Sequence, residues 1–420
     1  MLAIDTCSLP ATGSSMFVVA AGLFMLIAGA VVTHWVRASS GRMSVVVAPL
    51  VLLGGLVLAP SATNPCVTPT TVAPLSQNLV LEIDTSLSAP IGANAVSITE
   101  DGFVYELGLW GDVDVQIDWG DGFTDDVMVS GPFAHTYTAS GRYTITVSGS
   151  LTGFGQDPEH ARYLIGQQYL TAVRSFGELG ITSFAYAFLA SVNLIDVPSN
   201  LSATVTDMSA MFFGASSLNQ SLDSWDTGLV TNMSAMFGQA SSFNGDVSQW
   251  HTGSVTDMSL MFAEASAFDG DVSNWDTGSV RSMRGMFGEA SSFNGDVSQW
   301  HTGSVMEMTA MFYQATSFNR SLGTWDISEV ADMRNMLDGS ALSVDNYDAT
   351  LNGWAGLPVW QPSIFLGADG LHYSDNGAVS HYFLTGRCGG PRWQITDAGY
   401  INILNPTSLN ESNEPISIAC

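Results

Sequence analysis

Five tryptophans recur every 25 residues, Trp225, Trp250, Trp275, Trp300 and Trp325, and each is followed by an ionisable residue: Asp226, His251, Asp276, His301 and Asp326. Residue type and spacing point to two chemistries. A file of tryptophans closes an apolar core or, turned outward, offers a stacked aromatic stripe to a glycan or a protein. Carboxylates and imidazoles alternating along one column form an acid–base ladder. Each imidazole then sits between two carboxylates, which favour its charged form. The plainer alternative is a turn position that accepts Asp or His. A shared metal ion is disfavoured, because histidines two turns apart in a parallel stack are separated by ~10 Å.

A second polar column runs through Asn244-Gly245-Asp246, Asp269-Gly270-Asp271 and Asn294-Gly295-Asp296. Asn and Asp at repeated turns satisfy backbone groups; a ladder of Ca2+ sites is the sharper alternative, and no other cofactor is expected. Upstream, Asp112, Asp114, Asp118, Asp121, Asp125 and Asp126 cluster, but Gln116 and Ile117 interrupt the spacing of an EF-hand loop. These acids read as turn caps and solvent-face residues, and His135 as a structural histidine without a metal partner. No GxSxG, HExxH, phosphate loop or CxxC occurs, and no spacing selects a catalytic carboxylate pair, so an enzyme is not expected.

The elements that must position these columns are the repeats. "FNGDVSQWHTGSV" occurs identically at Phe243–Val255 and Phe293–Val305, with the near-copy "FDGDVSNWDTGSV" at Phe268–Val280. Valine recurs at Val205, Val230, Val255, Val280, Val305 and Val330, and a Met–Phe box keeps the same period. A fixed period of this length means a solenoid, in which stacked units bury one continuous core that no single unit could bury. Val230, Met233, Met236 and Phe237 fall at i, i+3, i+6 and i+7, the spacing of one or two helical turns. Phe243, Val247 and Trp250 follow in an extended run. One short strand and one short helical segment per 25 residues matches leucine-rich-repeat geometry.

"NGDVSQWHTGSVTDMSLMFAEASAF" is similar to the repeats of BspA-like surface proteins, which also occur in mycoplasma surface lipoproteins. "LSVDNYDATLNGWA" and the segment from Leu366 to Gly399 resemble the ending of such proteins. The resemblance spans about Ile181–Gly399 and implies a cell-surface leucine-rich-repeat solenoid that acts in adhesion or host binding. Before the repeats, "DVDVQIDWGDG" and "HTYTASGRYTITVSG" alternate apolar and polar residues about Gly- and Asp-rich turns, as antiparallel strands do. "WGDG" followed by "HTYTASGRYTITV" resembles the PKD domain, which implies an immunoglobulin-like sandwich.

The 420 residues carry 39 acidic and 11 basic side chains, a net charge of −28, and every basic residue is arginine. So acidic a chain disfavours nucleic acid and anionic lipid as partners. Mean hydropathy is +0.22, raised by two apolar runs, Met16–Val36 and Met43–Ala59, with Arg37 and Arg42 between them. The runs read as a membrane hairpin with its short basic loop inside the cell, or the second as a signal peptide; either exports the rest. "LPATG" at residues 9–13 resembles a sortase signal, although such a signal normally closes a chain. Cys7, Cys66, Cys388 and Cys420 form no CxxC pair, and in an exported protein Cys388 and Cys420 are a candidate disulfide.

The expected organisation is transmembrane or signal segments at 1–59, a Thr/Pro/Ser linker at 60–77, a PKD-like sandwich at 78–155, a lead-in with a degenerate repeat at 156–204, the α/β repeat solenoid at 205–341 and a carboxyl cap at 342–420. In the cap, Ser343–Trp354 and Asn376–Thr385 read as helices, the second capped by Asp375, and "RWQITDAG" as a final strand. The expected function is an exported surface protein that binds an extracellular protein or glycan, with the five tryptophans and the Asp/His column as candidate contacts. The alternative is a spacer without a specific ligand, and a glycan-acting enzyme is a distant third.

Overall fold

The computed structural model describes residues 77–87, 98–99, 102–156 and 163–401. Both apolar runs, the sortase-like motif and nearly all of the linker therefore lie outside the described residues. Among the described residues no helix is long and apolar enough to cross a membrane.

Alternation of apolar and polar side chains builds an antiparallel sheet of seven strands: β1 (Leu79–Asp84), β2 (Ile98–Thr99), β3 (Gly102–Asp118), β4 (Thr124–Val127), β5 (Gly131–Tyr137), β6 (Arg142–Phe154) and β7 (Leu170–Phe176). The order is β2-β3-β6-β1-β7, and β4 and β5 also pair with β3. β3 changes partner near Leu109, from β5 to β6, at a bulge that Gly111 makes with φ 75°. On β3, Val115 and Ile117 point into the core.

From the end of β6 a file of single parallel bridges runs through the repeats: Gly153 to Ser183, then Asp207, Asn232, Asp257, Ser282, Glu307 and Asp332. Successive 25-residue units therefore lie side by side in register. The Met–Phe box is neither helix nor strand. Met233, Ala235, Phe237 and Gln239 donate their N–H groups to the next unit's Asp257, Ser259, Met261 and Ala263, at 2.7–3.0 Å. The intervening Met236, Gly238 and Ala240 close turns onto the carbonyl three residues back. This differs from the expected helical turns for a physical reason. An i, i+3 turn keeps the helical side-chain period, so Val230, Met233, Met236 and Phe237 are all fully buried, but half of the N–H groups are given to the neighbouring unit.

That alternation needs left-handed backbone at every fourth residue of the box. Ala235, Gln239, Leu260 and Glu264 have φ of 56–59°. Such a conformation costs a non-glycine residue about 1–3 kcal/mol and persists only where surrounding structure over-determines it; here the stack's hydrogen bonds do so. The core is filed by residue type. Phe212, Phe237, Phe262, Phe287 and Phe312 stack at 5.5–5.7 Å between centroids. Phe262, Phe287 and Phe312 each also lie 3.8 Å from a second ring of the same unit, Phe268, Phe293 and Phe318.

After the array come α1 (Val344–Ala355), β8 (Phe365–Tyr373), α2 (Asp375–Leu384) and β9 (Gln394–Tyr400), with β8 and β9 parallel. Ser343 caps α1 by accepting from the Asn346 N–H. For α2 the cap is Ser374, not the expected Asp375, which lies in the first turn. β8 takes the place of a further unit: Leu366 bridges Met333, and the Gly367 N–H donates to the Met333 carbonyl at 3.0 Å.

Candidate functional site

The five tryptophans are core residues. Trp225, Trp250, Trp275, Trp300 and Trp325 are 2, 3, 3, 4 and 0 % exposed, so the outward aromatic stripe is corrected. The physical reason is that each indole finds a partner inside the stack. Trp250, Trp275, Trp300 and Trp325 donate Nε1–H to the carbonyls of Leu222, Val247, Val272 and Val297, 28 residues earlier, at 2.7–3.1 Å. With its polar edge satisfied, the ring is free to bury its apolar area. Trp225 does the same with the Pro198 carbonyl at 2.9 Å. Trp354 extends the file from α1, donating to Leu322 at 3.0 Å. Reading Trp354 only as part of an amphipathic helix missed this, although its position 29 residues after Trp325 was a signal.

The Asp/His column lies on the surface. Among the described residues its one ion-pair contact is His301 Nδ1 to Asp276 Oδ1 at 4.0 Å, between side chains 80 and 65 % exposed. The expected arrangement of each imidazole between two carboxylates is therefore not present, because the carboxylates are turned to their own backbone. Asp226 and Asp276 accept from the N–H groups of Gly228 and Gly278, and Asp326 from Ser328, at 3.0–3.1 Å. Behind them a file the sequence reading passed over joins the units. Buried Thr227, Thr252, Thr277 and Thr302 donate their hydroxyls to the backbone carbonyls of His251, Asp276, His301 and Asp326, at 2.8–3.0 Å.

The Asn-Gly-Asp column is a second tie between units. Side-chain oxygens of Asn219, Asn244, Asp269, Asn294 and Asn319 accept the N–H of Asn244, Asp269, Asn294, Asn319 and Ser343, at 2.8–3.0 Å. The third residue of each turn, Asp246, Asp271 or Asp296, accepts the N–H of Ser248, Ser273 or Ser298 at 2.9 Å. That bond holds the carboxyls of Asp271 and Asp296 below the ordinary aspartate value. Among the described residues no group of three or more His, Cys, Asp or Glu is placed to hold a metal ion.

In the β-domain the acidic cluster is likewise engaged locally. Asp118 accepts from the Gly120 N–H, Asp121 from Phe123, Asp125 from the Trp119 indole and Asp126 from Gln116, at 2.8–3.2 Å. His135 lies within β5, stacked on Trp119 at 4.8 Å, with Nε2 2.7 Å from Asp121 Oδ2.

The carboxyl segment holds a cluster the sequence did not announce. Asp397 accepts from the Tyr347 hydroxyl at 2.9 Å, and His381 Nε2 lies 3.2 Å from its Oδ2 without hydrogen-bond alignment. Tyr373 stacks on His381 at 4.2 Å. Burial, with Asp397 beside it, pushes the Tyr347 phenol well up. The adjoining hollow of about 530 Å³ contains one carboxylate, Asp397, and one guanidinium, Arg387. These residues converge only because α1, α2 and β9 pack together, so no sequence spacing could find them. Cys388 is disulfide-bonded, with its partner outside the described residues.

Residues 182–277 and 246–354 match a family described as a Mycoplasma protein of unknown function, DUF285. The matched passages cover the array and most of α1 and do not reach the β-domain. No curated protein and no solved structure matches the chain.

Proposed function

We propose that the chain is an exported cell-surface protein whose 25-residue units form a leucine-rich-repeat-like solenoid, carried on an immunoglobulin-like β-domain, and that it binds an extracellular protein or glycan. The observation that carries this reading is the division of labour among the columns. Met, Phe, Trp and Thr files hold the units together from inside, and Asn and Asp oxygens tie the turns, which leaves the outward residues free to vary. A long face of fixed geometry, whose outward side chains are not needed to hold the stack, is what an adhesion-type surface needs. The match of the repeats to a Mycoplasma family and the disulfide at Cys388, a bond of oxidising compartments, both support export.

The burial of the tryptophans favours a second reading, a spacer that holds the molecule away from the envelope without a specific ligand. The test of export is trypsin applied to intact cells, which reaches exposed arginines such as Arg142, Arg284 and Arg334. Loss of the full-length band without lysis is expected; complete protection overturns the surface reading.

A further inference from the structure

The repeats are nearly uniform, so a place where an outward column changes character is informative. In the left-handed column the residues are Tyr186, Ala210, Ala235, Leu260, Gly285, Ala310 and Asn335. Three positions on, the column reads Leu189, Phe213, Gly238, Ala263, Gly288, Tyr313 and Asp338. At the start of the array both columns turn large: Tyr186 and Leu189 belong to one unit and Phe213 to the next. Ala210 and Ala235 leave room between them. The result is a hollow of about 310 Å³, walled by Tyr186, Leu189, Phe213 and Tyr163 and by the polar Gln156 and Ser234. That volume sits at the lower end of the range of ligand pockets, ~300–1,000 Å³.

Two features indicate that the hollow is built for an occupant. Gln156 is held by its backbone N–H to the Ala185 carbonyl at 3.1 Å and is only 5 % exposed, yet its Nε2 makes no hydrogen bond. A buried amide donor is normally satisfied. The rings are also supported from behind: Phe213 lies across Gly238, where an added Cβ would come within 2.6 Å of its Cδ2. The glycine thus lets the ring lie flat. Tyr163 is 62 % exposed at the rim.

We infer that this hollow is a saccharide subsite for an uncharged pyranose unit, an inference that rests on the binding function proposed above and gives it a place and a ligand class. The chain's net charge of −28 repels anionic sugars. Flat aromatic walls accept the C–H face of a sugar ring. Gln156 and Ser234 are the polar members of an otherwise apolar and aromatic lining, the composition in which a few polar groups orient a ligand.

The test uses the full chain in detergent on an array of neutral hexose and N-acetylhexosamine oligosaccharides, with sialylated and sulfated counterparts. Retention on a neutral class, released by the free sugar, is expected. Gln156→Leu, which removes the unsatisfied amide while keeping the volume, should lower affinity at least tenfold with the melting temperature unchanged or raised. Tyr163→Ala should weaken binding in the same direction, and Tyr313→Ala, remote along the array, should not. Equal binding by Gln156→Leu, Tyr163→Ala and the parent, retention of charged sugars alone, selection of peptides instead, or no retention at all overturns the subsite. The trypsin experiment on intact cells reports separately on surface exposure, so failure here and failure there are distinguishable.

Discussion

At the scale of the residue, the units are joined by polar atoms whose partners lie 24 to 28 positions away. A threonine hydroxyl, an Asn or Asp oxygen and an indole N–H each meet one backbone group of a neighbouring unit, and each such bond is worth about 1 kcal/mol net. Two aspartates that cap the turns within their own units, Asp271 and Asp296, add a pH dependence. Because the Ser273 and Ser298 N–H groups stabilise the charged carboxylates of Asp271 and Asp296, their folded pKa values lie below the unfolded value of ~3.9. Their contribution is complete above that value and is lost as pH falls through the lowered one. Asp271→Asn with Asp296→Asn keeps the acceptor oxygens and removes the titration. Thermal melting followed from pH 7 to pH 2 should show a shallower acid limb for the double variant, with little difference at pH 7. A steeper limb would contradict this account of the turns.

Among the elements, α1 is the one on which local preference and tertiary packing disagree most clearly. Helix propensity alone favours Gly353→Ala by about 1 kcal/mol. In the structure, however, α1 docks backbone to backbone on the array: a Cβ at Gly353 would lie 1.9 Å from the Gly323 carbonyl oxygen and 2.4 Å from its Cα. Backbone cannot yield as a side-chain tip does, so overpacking of about 1–3 kcal/mol reverses the sign. Urea denaturation should find Gly353→Ala less stable than the parent; a more stable variant would show that α1 does not rest on Gly323. The helices at residues 344–355 and 375–384 were legible because their apolar spacing and caps are local signals. The Met–Phe box misled for the same local reason: its side-chain period is that of a helix, while the destination of its N–H groups is fixed by the next unit. The cap of α2 shifted by one residue because Ser374 and Asp375 are both good caps, and burial of Ser374 against Asp348 selects the serine.

Taken as a whole molecule, the array has both ends covered. Its ladder begins on β6, at Gly153, and ends on β8, at Leu366. Open ends of a stack expose unpaired backbone groups and apolar files, and so invite association. A chain shortened after residue 341 leaves the Met333 carbonyl and the Met and Phe files without their cover. Sedimentation should then show concentration-dependent association that the parent lacks; a monomeric shortened chain would mean that the carboxyl segment is not the cover. The sequence by itself determined the period and therefore which residues share a file, since identical units stacked in register must place like beside like. It also marked Met, Phe and Val as core, because their side chains have no other use for burial. Only the tertiary structure decided the amphipathic files. Trp turned inward because a carbonyl 28 residues earlier accepts its N–H, and the aspartates of the Asp/His column became turn caps because neighbouring N–H groups reach the carboxylates first. Likewise, only folding placed Gln156, Tyr186 and Phe213 around one hollow, since those contacts join positions whose sequence separation carries no chemical signature.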